Sequence, residues 1–177
     1  MSDREKTCAF SGHRCEKLPG CGDRSSAALR RILSILRLET ERTAASGYTD
    51  FITGMAQGID LLAASIVLDL KKTYPLRLIC AVPFPGYAAK FRGEDKFNYG
   101  IIAEQADEMV YVCEHYSPAA MRLRNEYMID RASKLIAVVA DFRSGTGQTI
   151  RYAERKQLDT HVIRIDRIAP LVGEDSP

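Results

Sequence analysis

The sequence has almost no excess of charge and no long apolar run. Its 25 Lys and Arg residues are nearly balanced by 23 Asp and Glu residues, which leaves a formal net charge of +2. This balance gives no support to the large basic face of a typical nucleic-acid-binding protein, although it allows a local basic patch. The lack of a signal peptide and of a long apolar run predicts a cytoplasmic protein without a membrane segment.

Cysteine is scarce and irregularly spaced. The chain has five cysteines, Cys8, Cys15, Cys21, Cys80 and Cys113, and none belongs to the short Cys-x-x-Cys pairs of a zinc site. We therefore expect no metal at the N-terminal group that Cys8, Cys15 and Cys21 form with His13. An odd number of cysteines without a signal peptide indicates reduced thiols. Cys80 and Cys113 fall in or beside apolar segments, where cysteine packs as a small apolar residue.

Three motifs of nucleotide and acyl chemistry are absent. The chain has no Gly-x-x-x-x-Gly-Lys-Ser/Thr sequence, which excludes a P-loop nucleotide hydrolase. Neither Gly54-Met-Ala-Gln-Gly58 nor Gly145-Thr-Gly147 completes the Gly-x-Gly-x-x-Gly fingerprint, which argues against an ordinary nicotinamide dehydrogenase. A Gly-x-Ser-x-Gly nucleophile elbow is also missing.

The apolar residues that are present form two kinds of segment, one typical of strands and one typical of helices. Short apolar runs typical of buried strands are followed by helical periods about six times, without hairpin signals. This alternation predicts an α/β fold, a Rossmann-like three-layer sandwich with a mostly parallel five- to six-stranded sheet and helices on both faces. The length of 177 residues fits one domain over residues 1–166, followed by a polar tail over residues 167–177.

Polar or glycine-rich turns follow four of the predicted strands. In residues 51–60 an apolar strand enters a turn with two glycines and then a helix, and similar turns occur at residues 11–14, 83–86 and 141–147. Glycine allows close backbone approach, and a helix N-terminus favours an anion, although one such turn alone is equally compatible with a plain strand-to-helix connection. In parallel sheets ligands bind beyond the carboxyl ends of the strands. The four turns together therefore predict a ligand site.

The segment Ser144-Gly-Thr-Gly-Gln-Thr149 is the predicted phosphate cradle, with a helix expected only from Ile150 onward. Arginines near the turns offer planar forks for phosphate, and aspartates accept hydrogen bonds from sugar hydroxyls. The alternative is that Asp60 and Asp141 merely cap turns and that Arg124 is a solvated helix residue. The residues predicted to bind the ligand are Ser11, Gly12, Arg14, Gly54, Gly58, Asp60, Arg124, Asn125, Asp130, Asp141, Gly145, Thr146, Gly147 and Thr149.

Two further segments carry structural predictions. Residues 87–99 combine aromatic and charged side chains, and we interpret them as a loop or partial helix that covers the site or, alternatively, as a surface segment pinned by its aromatic rings. The pair Ser117-Pro118 predicts a helix that begins there and runs to about Ser133, with serine as the capping residue.

Four motifs in a fixed order resemble the superfamily that joins the DNA-processing protein DprA with the LOG phosphoribohydrolases. They are Ser11-Gly-His-Arg14, Thr53-Gly-Met-Ala-Gln-Gly-Ile-Asp60, Arg124-Asn-Glu-Tyr-Met-Ile-Asp130 and Ser144-Gly-Thr-Gly-Gln-Thr149. Within that superfamily the chain resembles the YpsA-like branch, over about residues 7–165. The resemblance implies a Rossmann-like domain that binds a nucleotide-like ligand of the AMP, ADP-ribose or NAD type, with a sensor role as one option.

The resemblance also implies two alternatives. LOG-type enzymes cleave the N-glycosidic bond of nucleoside monophosphates, and their phosphate motif is followed by glutamates, whereas Ile150 and Arg151 follow it here and Glu154 lies a turn further on. The oxocarbenium-like transition state would then lack a stabilising carboxylate.

DprA-like proteins bind single-stranded DNA and a recombinase. A strip of Arg122, Arg124 and Arg131 would serve that function. The aromatic residues Phe84, Tyr87, Phe91, Phe97 and Tyr99 would stack on bases or cover a small nucleotide. The sequence leaves a homo-oligomer open.

Overall fold

The computed structural model describes residues 3–23 and 25–168, in which six strands alternate with helices. None of the helices in these two ranges is both long and apolar enough to cross a membrane. Three short 3-10 helices cover Arg4–Lys6, Cys15–Lys17 and Tyr87–Lys90. The strands are β1 (Thr7–Gly12), β2 (Asp50–Thr53), β3 (Arg77–Val82), β4 (Glu108–Tyr111), β5 (Lys134–Val139) and β6 (Asp159–Arg164). The helices are α1 (Ala27–Ala45), α2 (Ile59–Leu70), α3 (Gly93–Gln105), α4 (Ala120–Asp130), α5 (Gly145–Arg155) and α6 (Ile165–Ile168).

All six strands lie in one parallel sheet, in the order β4-β3-β2-β1-β5-β6. The order reverses at β1, which pairs with β2 on one side and with β5 on the other. At such a reversal the loops that leave the two central strands turn to opposite faces and open a crevice at the carboxyl edge of the sheet. The predicted α/β fold with a parallel sheet is confirmed, with six strands.

Apolar side chains fill a layer on each face of the sheet. One layer packs the sheet against α1, α2 and α3 and contains Phe10 and Phe51, whose rings stack at 5.8 Å. The other layer packs the sheet against α4 and α5 and contains Ile52, Leu135 and Met128. Neighbouring residues of a strand such as Phe51 and Ile52 point to opposite faces, so a continuous apolar run supplies both layers.

Helix α4 begins at Ala120, two residues later than the predicted first helical residue, Pro118. The Ala120 N–H donates to the Ser117 carbonyl at 3.0 Å, and Ala119 precedes the helix without a side-chain cap. Residues 117–120 thus form a turn with Pro118 in its second position, where the fixed φ of proline fits. The prediction that Ser117 caps the helix is wrong for this reason.

Helix α5 begins at Gly145, five residues earlier than predicted. Ser144 is its N-cap, and the Ser144 Oγ accepts a hydrogen bond from the Gly147 N–H at 3.3 Å. A Cβ at Gly147 would overlap the carbonyl group of Phe142, so glycine serves close packing there. The predicted glycine-rich turn is therefore the first turn of a helix.

Residues 87–99 form a short 3-10 helix followed by the start of α3. The rings of Phe84, Tyr87, Phe91 and Tyr99 contact one another edge to face in series, with centroids 5.5–5.7 Å apart. Phe91 is buried, whereas Phe97 is 67% exposed. The arrangement matches the aromatic-pinned alternative for this segment.

Two of the five cysteines are bonded to each other, contrary to the prediction of reduced thiols throughout. Cys15 and Cys21 form a disulfide in the loop after β1, where a turn brings their Cα atoms to 5.3 Å. Cys8 and Cys80 are buried, and burial raises the pKa of the Cys80 thiol to about 12. Within the described residues, no group of three or more His, Cys, Asp or Glu side chains is arranged to hold a metal.

Candidate ligand-binding site

A cavity of about 280 Å³ lies beyond the carboxyl ends of β1 and β5. This is the crevice that the reversal of strand order creates, and the volume is close to the lower end of the range for small-molecule sites. We call it the switch-point cavity. Its lining comes from four segments: Ser11 and Gly12 at the end of β1 with His13, Arg14, Glu16 and Lys17 after it; Ala56 and Asp60 after β2; Met121, Arg124, Asn125 and Met128 on α4; and Ser144, Gly145 and Thr146 at the start of α5.

Close backbone packing fixes the wall that follows β1. Gly58 has a φ of +90°, and a Cβ there would lie 2.9 Å from the Arg14 Cα. The Ile59 N–H donates to the His13 carbonyl at 3.2 Å, so the first turn of α2 lies directly against the loop. A Cβ at Gly12 would overlap Ile59. The two glycines thus let α2 hold the loop that presents Arg14 to the cavity.

His13 joins the two loops that border the crevice. Its imidazole is buried, and its Nε2 accepts hydrogen bonds from the Ala140 N–H at 2.8 Å and the Asp141 N–H at 3.2 Å. Burial lowers the pKa of His13, and the charge of Lys17 lowers it further while Asp141 opposes the shift. The neutral imidazole that this favours is the form whose Nε2 can accept hydrogen bonds.

An ion pair between α2 and α4 forms the opposite wall. The side chains of Arg124 and Asp60 are 5% and 7% exposed, and the Nη1–Oδ2 distance is 3.6 Å. Arg124 also donates through Nη1 to the Gly54 carbonyl and through Nε to the Asn125 Oδ1 at 2.8 Å. The Asp60 Oδ2 accepts from the Ala56 N–H at 3.2 Å.

Burial governs the ionisation of this pair. It raises the pKa of Asp60, and the charge of Arg124 and the Ala56 N–H oppose that shift. The interpretation of Arg124 as a solvated helix residue is wrong, because its guanidinium occupies the space that a side chain at Gly54 would need. Asp60 both caps the turn before α2 and pairs with Arg124.

The N-terminus of α5 completes the cavity. Ser144 donates its hydroxyl proton to the Asp141 carbonyl at 2.5 Å and accepts from the Gly147 N–H. The backbone N–H groups of Gly145 and Thr146 make no hydrogen bond with the described part of the chain. They are the first two helical positions, where N–H groups and the helix dipole favour an anion.

Eight of the fourteen residues predicted to bind the ligand line the switch-point cavity. They are Ser11, Gly12, Arg14, Asp60, Arg124, Asn125, Gly145 and Thr146. Gly54 and Gly58 lie behind the wall and permit its close packing. Gly147 and Thr149 lie within α5, where the Thr149 hydroxyl donates to the Gly145 carbonyl at 3.0 Å.

The structure does not bring Asp141 or Asp130 into the cavity. The Asp141 Oδ1 accepts from the Arg143 N–H at 2.9 Å, so this carboxylate closes a turn. Asp130 lies at the far end of α4, where its Oδ1 accepts from the Tyr152 hydroxyl at 3.0 Å and pairs with the Lys156 Nζ at 2.9 Å. Asp130 lies six residues after Arg124, which is about 9 Å further along the helix and on another face. Its side chain therefore cannot reach the cavity beside Arg124.

Sequence reasoning missed several residues of the lining. Met121, Arg124, Asn125 and Met128 follow the spacing of one helix face, and this period is a signal that could have found both methionines. No comparable signal identifies His13, because its role depends on the distant backbone of Ala140.

The predicted arginine strip does not form. Arg124 is buried, Arg122 is exposed and pairs with Glu126 at 2.7 Å, and Arg131 lies over the Tyr127 ring at 3.6 Å from its centroid. Glu154 is exposed on α5 and does not line the switch-point cavity.

Two structures of DNA processing protein A (DprA) have a similar fold. The protein from Streptococcus pneumoniae matches with a TM-score of 0.61 and 17% identity over 89% of this chain and 50% of that one. The protein from Helicobacter pylori, whose structure concerns its single-stranded DNA binding mode, matches with a TM-score of 0.60 and 17% identity over 97% of this chain and 75% of that one. At this identity the likeness shows the fold alone.

Relatives in sequence come from bacteria. The SPbeta prophage-derived protein YoqJ of Bacillus subtilis is 34% identical over 128 residues, which cover 65% of this chain and 75% of YoqJ. The UPF0398 protein SH1465 of Staphylococcus haemolyticus is 30% identical over 92 residues, so the match spans about half of each chain, 50% and 49%. The model of the YspA SLOG family matches residues 8–170. The chain therefore belongs to the YspA SLOG family, the YpsA-like branch that its four motifs indicate.

Proposed function

We propose that this protein binds a nucleotide or nucleotide-derived ligand in the switch-point cavity. One observation carries the proposal: the N–H groups of Gly145 and Thr146, which bond to no residue that the structure describes, open onto the same cavity as the Arg14 side chain and the Asn125 amide. A helix N-terminus facing an arginine suits a phosphate group, because oriented N–H donors and a guanidinium fork both favour an anion.

The charges of the wall are compatible with an anionic ligand. Asp60 would repel a phosphate if it stood alone, but its carboxylate is paired with Arg124 and faces the N–H of Ala56. The exposed Arg14 remains available to a ligand, since it forms no ion pair with the residues that the structure describes. The balance of charge at the cavity therefore favours an anion.

The rest of the cavity suits a nucleoside. Met121 offers adaptable apolar surface for a base or a ribose ring. Ser11 and Asn125 offer hydroxyl and amide groups that can donate to and accept from hydroxyl groups or base edges. AMP, ADP-ribose and NAD combine these features, and a sensor of such a ligand needs no catalytic group.

A thermal-shift screen with AMP, ADP-ribose, NAD and cyclic nucleotides tests the proposal. A ligand at a hundred times its dissociation constant stabilises by about 2.7 kcal/mol, which corresponds to a rise in Tm of roughly 5–10 °C for a chain of this size. The Arg14→Gln variant should reduce that rise, whereas Arg143→Gln, an exposed arginine paired with Asp141, should not. A folded sample that shows no shift with any of these ligands would contradict the proposal.

Hydrolysis of the N-glycosidic bond is the enzymatic alternative. The carboxylates in the cavity are Asp60, which is paired with Arg124, and the exposed Glu16, while Glu154 lies outside it. A hydrolase needs a carboxylate at the ribose, so we propose binding without cleavage. Chromatography of nucleoside monophosphates incubated with the protein decides this point, since released base would replace the binding proposal with a hydrolase.

Single-stranded DNA is a second candidate ligand. The fold likeness to Helicobacter pylori DprA favours it, together with the exposed Arg122 near the cavity. Gel retardation of a labelled oligonucleotide should then weaken as salt rises and weaken further in Arg122→Gln. The absence of retardation at low salt would remove this candidate.

A further inference from the structure

A second cavity of about 210 Å³ lies between α4 and α5, next to the switch-point cavity. Arg122 and Glu126 of α4 line one side, and Arg151, Tyr152 and Arg155 of α5 line the other. We call it the arginine groove. None of these five residues lines the switch-point cavity, so the proposed function does not account for them.

The arginine groove is continuous with the switch-point cavity. Asn125 and Gly145 line both of them and form the border between the two. The Arg151 Nη1 donates to the Phe142 carbonyl at 2.8 Å, so its guanidinium reaches back toward the N-terminal end of α5. A ligand held at Gly145 can therefore extend into the arginine groove.

The charge of the groove is strongly positive. Arg151 and Arg155 form no ion pair with any residue in the described ranges, and only Arg122 has a carboxylate partner, Glu126 at 2.7 Å. Residues 120–156, the stretch that supplies the whole lining of the groove, contain eight Lys and Arg and four Asp and Glu, although the whole chain has a net charge of only +2. The lining itself carries three arginines and one glutamate.

An aromatic ring lies among the arginines. The Tyr152 hydroxyl donates to the Asp130 Oδ1 at 3.0 Å, which holds the ring in place, and the Arg155 guanidinium carbon lies 5.5 Å from the ring centroid. A fixed ring beside guanidinium groups offers a flat face to a base or sugar next to a bound phosphate.

From this combination we infer that the arginine groove is a subsite for a second phosphate group of the ligand. The inference rests on the proposed function and narrows it to ligands that carry a phosphate beyond the one at Gly145. Two sources share this chemistry: the second phosphate of a diphosphate ligand such as ADP-ribose, and the internucleotide phosphate of 5′-phosphorylated diadenylate, pApA.

Isothermal titration with AMP, ADP-ribose and pApA tests the inference. At least one of the two ligands with a second phosphate should bind more tightly than AMP, by about tenfold, as expected for charged hydrogen bonds. In the double variant Arg151→Gln/Arg155→Gln that gain should disappear while AMP affinity stays within about twofold. Comparing ADP-ribose with pApA identifies which source the groove prefers.

Two further variants sharpen the test. The double variant Arg31→Gln/Arg37→Gln removes the same charge from exposed positions on α1, and it should leave all three affinities unchanged. Glu126→Gln removes the carboxylate of the groove, so the ligand with the second phosphate should bind several-fold more tightly and AMP should not. Because these are surface positions, unchanged Tm values serve as the folding check.

The possible failures are distinguishable. If AMP binds but no ligand gains from its second phosphate, or if Arg151→Gln/Arg155→Gln weakens AMP equally, the second subsite is overturned and the proposed function stands. If no ligand binds the folded wild-type protein, the proposed function fails and the subsite fails with it.

Discussion

The side chains of Arg124 and Asp60 are buried, so neither charge is stable without the other. Breaking a buried pair from one side costs about 3–5 kcal/mol, because the remaining charge loses its partner. Arg124→Met should therefore lower the free energy of unfolding by about that amount at pH 7, as measured by urea denaturation. The loss should shrink as the pH falls, because Asp60, whose pKa burial already raises, then takes up a proton.

The double variant Arg124→Met/Asp60→Asn provides the control for this pair. Removing both charges should restore part of the stability that Arg124→Met loses, since no buried ion remains. A loss in the single variant below about 1 kcal/mol would show that water solvates Asp60 and would contradict its burial.

His13 makes the stability of the protein depend on pH. Its pKa is lower in the folded chain than its ordinary value of about 6.5, so the unfolded chain binds a proton first as the pH falls. Neutral His13 makes its full contribution to the free energy of unfolding above pH 6.5. Below that pH the contribution falls by up to about 1.4 kcal/mol per pH unit, until the pH reaches the pKa of His13 in the folded chain.

The variant His13→Gln isolates this effect. The glutamine oxygen can accept the Ala140 and Asp141 N–H groups, and it does not titrate. Urea unfolding between pH 7.5 and 5 should therefore show a shallower loss of stability in the variant. Equal slopes in both proteins would mean that His13 does not supply the dependence.

At the scale of elements, the turn before α2 requires glycine at position 58 for two reasons: the positive φ and the close contact with the loop after β1. Gly58 and Gly86 both have positive φ, +90° and +82°, but a Cβ at Gly58 would meet the backbone of His13 and Arg14, while one at Gly86 would meet no described residue within 4 Å. Gly86→Ala should cost about 1 kcal/mol through backbone strain alone.

Gly58→Ala should cost clearly more than Gly86→Ala, because α2 must also move away from the loop after β1. Thermal unfolding of both variants measures the difference. Equal costs would show that the close approach of α2 to that loop contributes nothing to stability.

The sequence predicts elements well where one signal dominates. The alternation of strands and helices fixed the α/β class, and the turns after β1, β2 and β5 were placed correctly at the edge that holds the cavity. The prediction for α5 was wrong because glycine usually marks a turn, whereas Gly147 is needed for packing against Phe142. Likewise, Pro118 fits a turn as well as a helix start, and only tertiary packing decides between them.

Predictions for single residues fail where long-range contacts decide the outcome. The burial of Arg124 depends on α2, which lies more than fifty residues away in the chain. Asp130 shares a motif with Arg124 but turns to another helix face and bonds Tyr152 instead. The bond between Cys15 and Cys21 depends on the path of their loop, which spacing alone does not reveal.

At the scale of the whole molecule, the parallel sheet puts the lining of the switch-point cavity at one edge. Saturation with AMP should slow amide hydrogen exchange at residues 11–14, 54–60 and 144–147. Exchange at the opposite edge, at residues 46–49, 71–76 and 131–133, should stay unchanged. Hydrogen-exchange mass spectrometry gives this map, and protection confined to the second edge would place the ligand elsewhere.

The residues that line the switch-point cavity fall into two separate stretches of the chain. These are residues 11–60 and 121–146, and the long stretch between them, which includes β3, α3 and β4, contributes none of the lining. A break in the exposed turn at Gly86 would leave one wall on each fragment. Ligand binding would then report the reassembly of two fragments, neither of which holds a complete site.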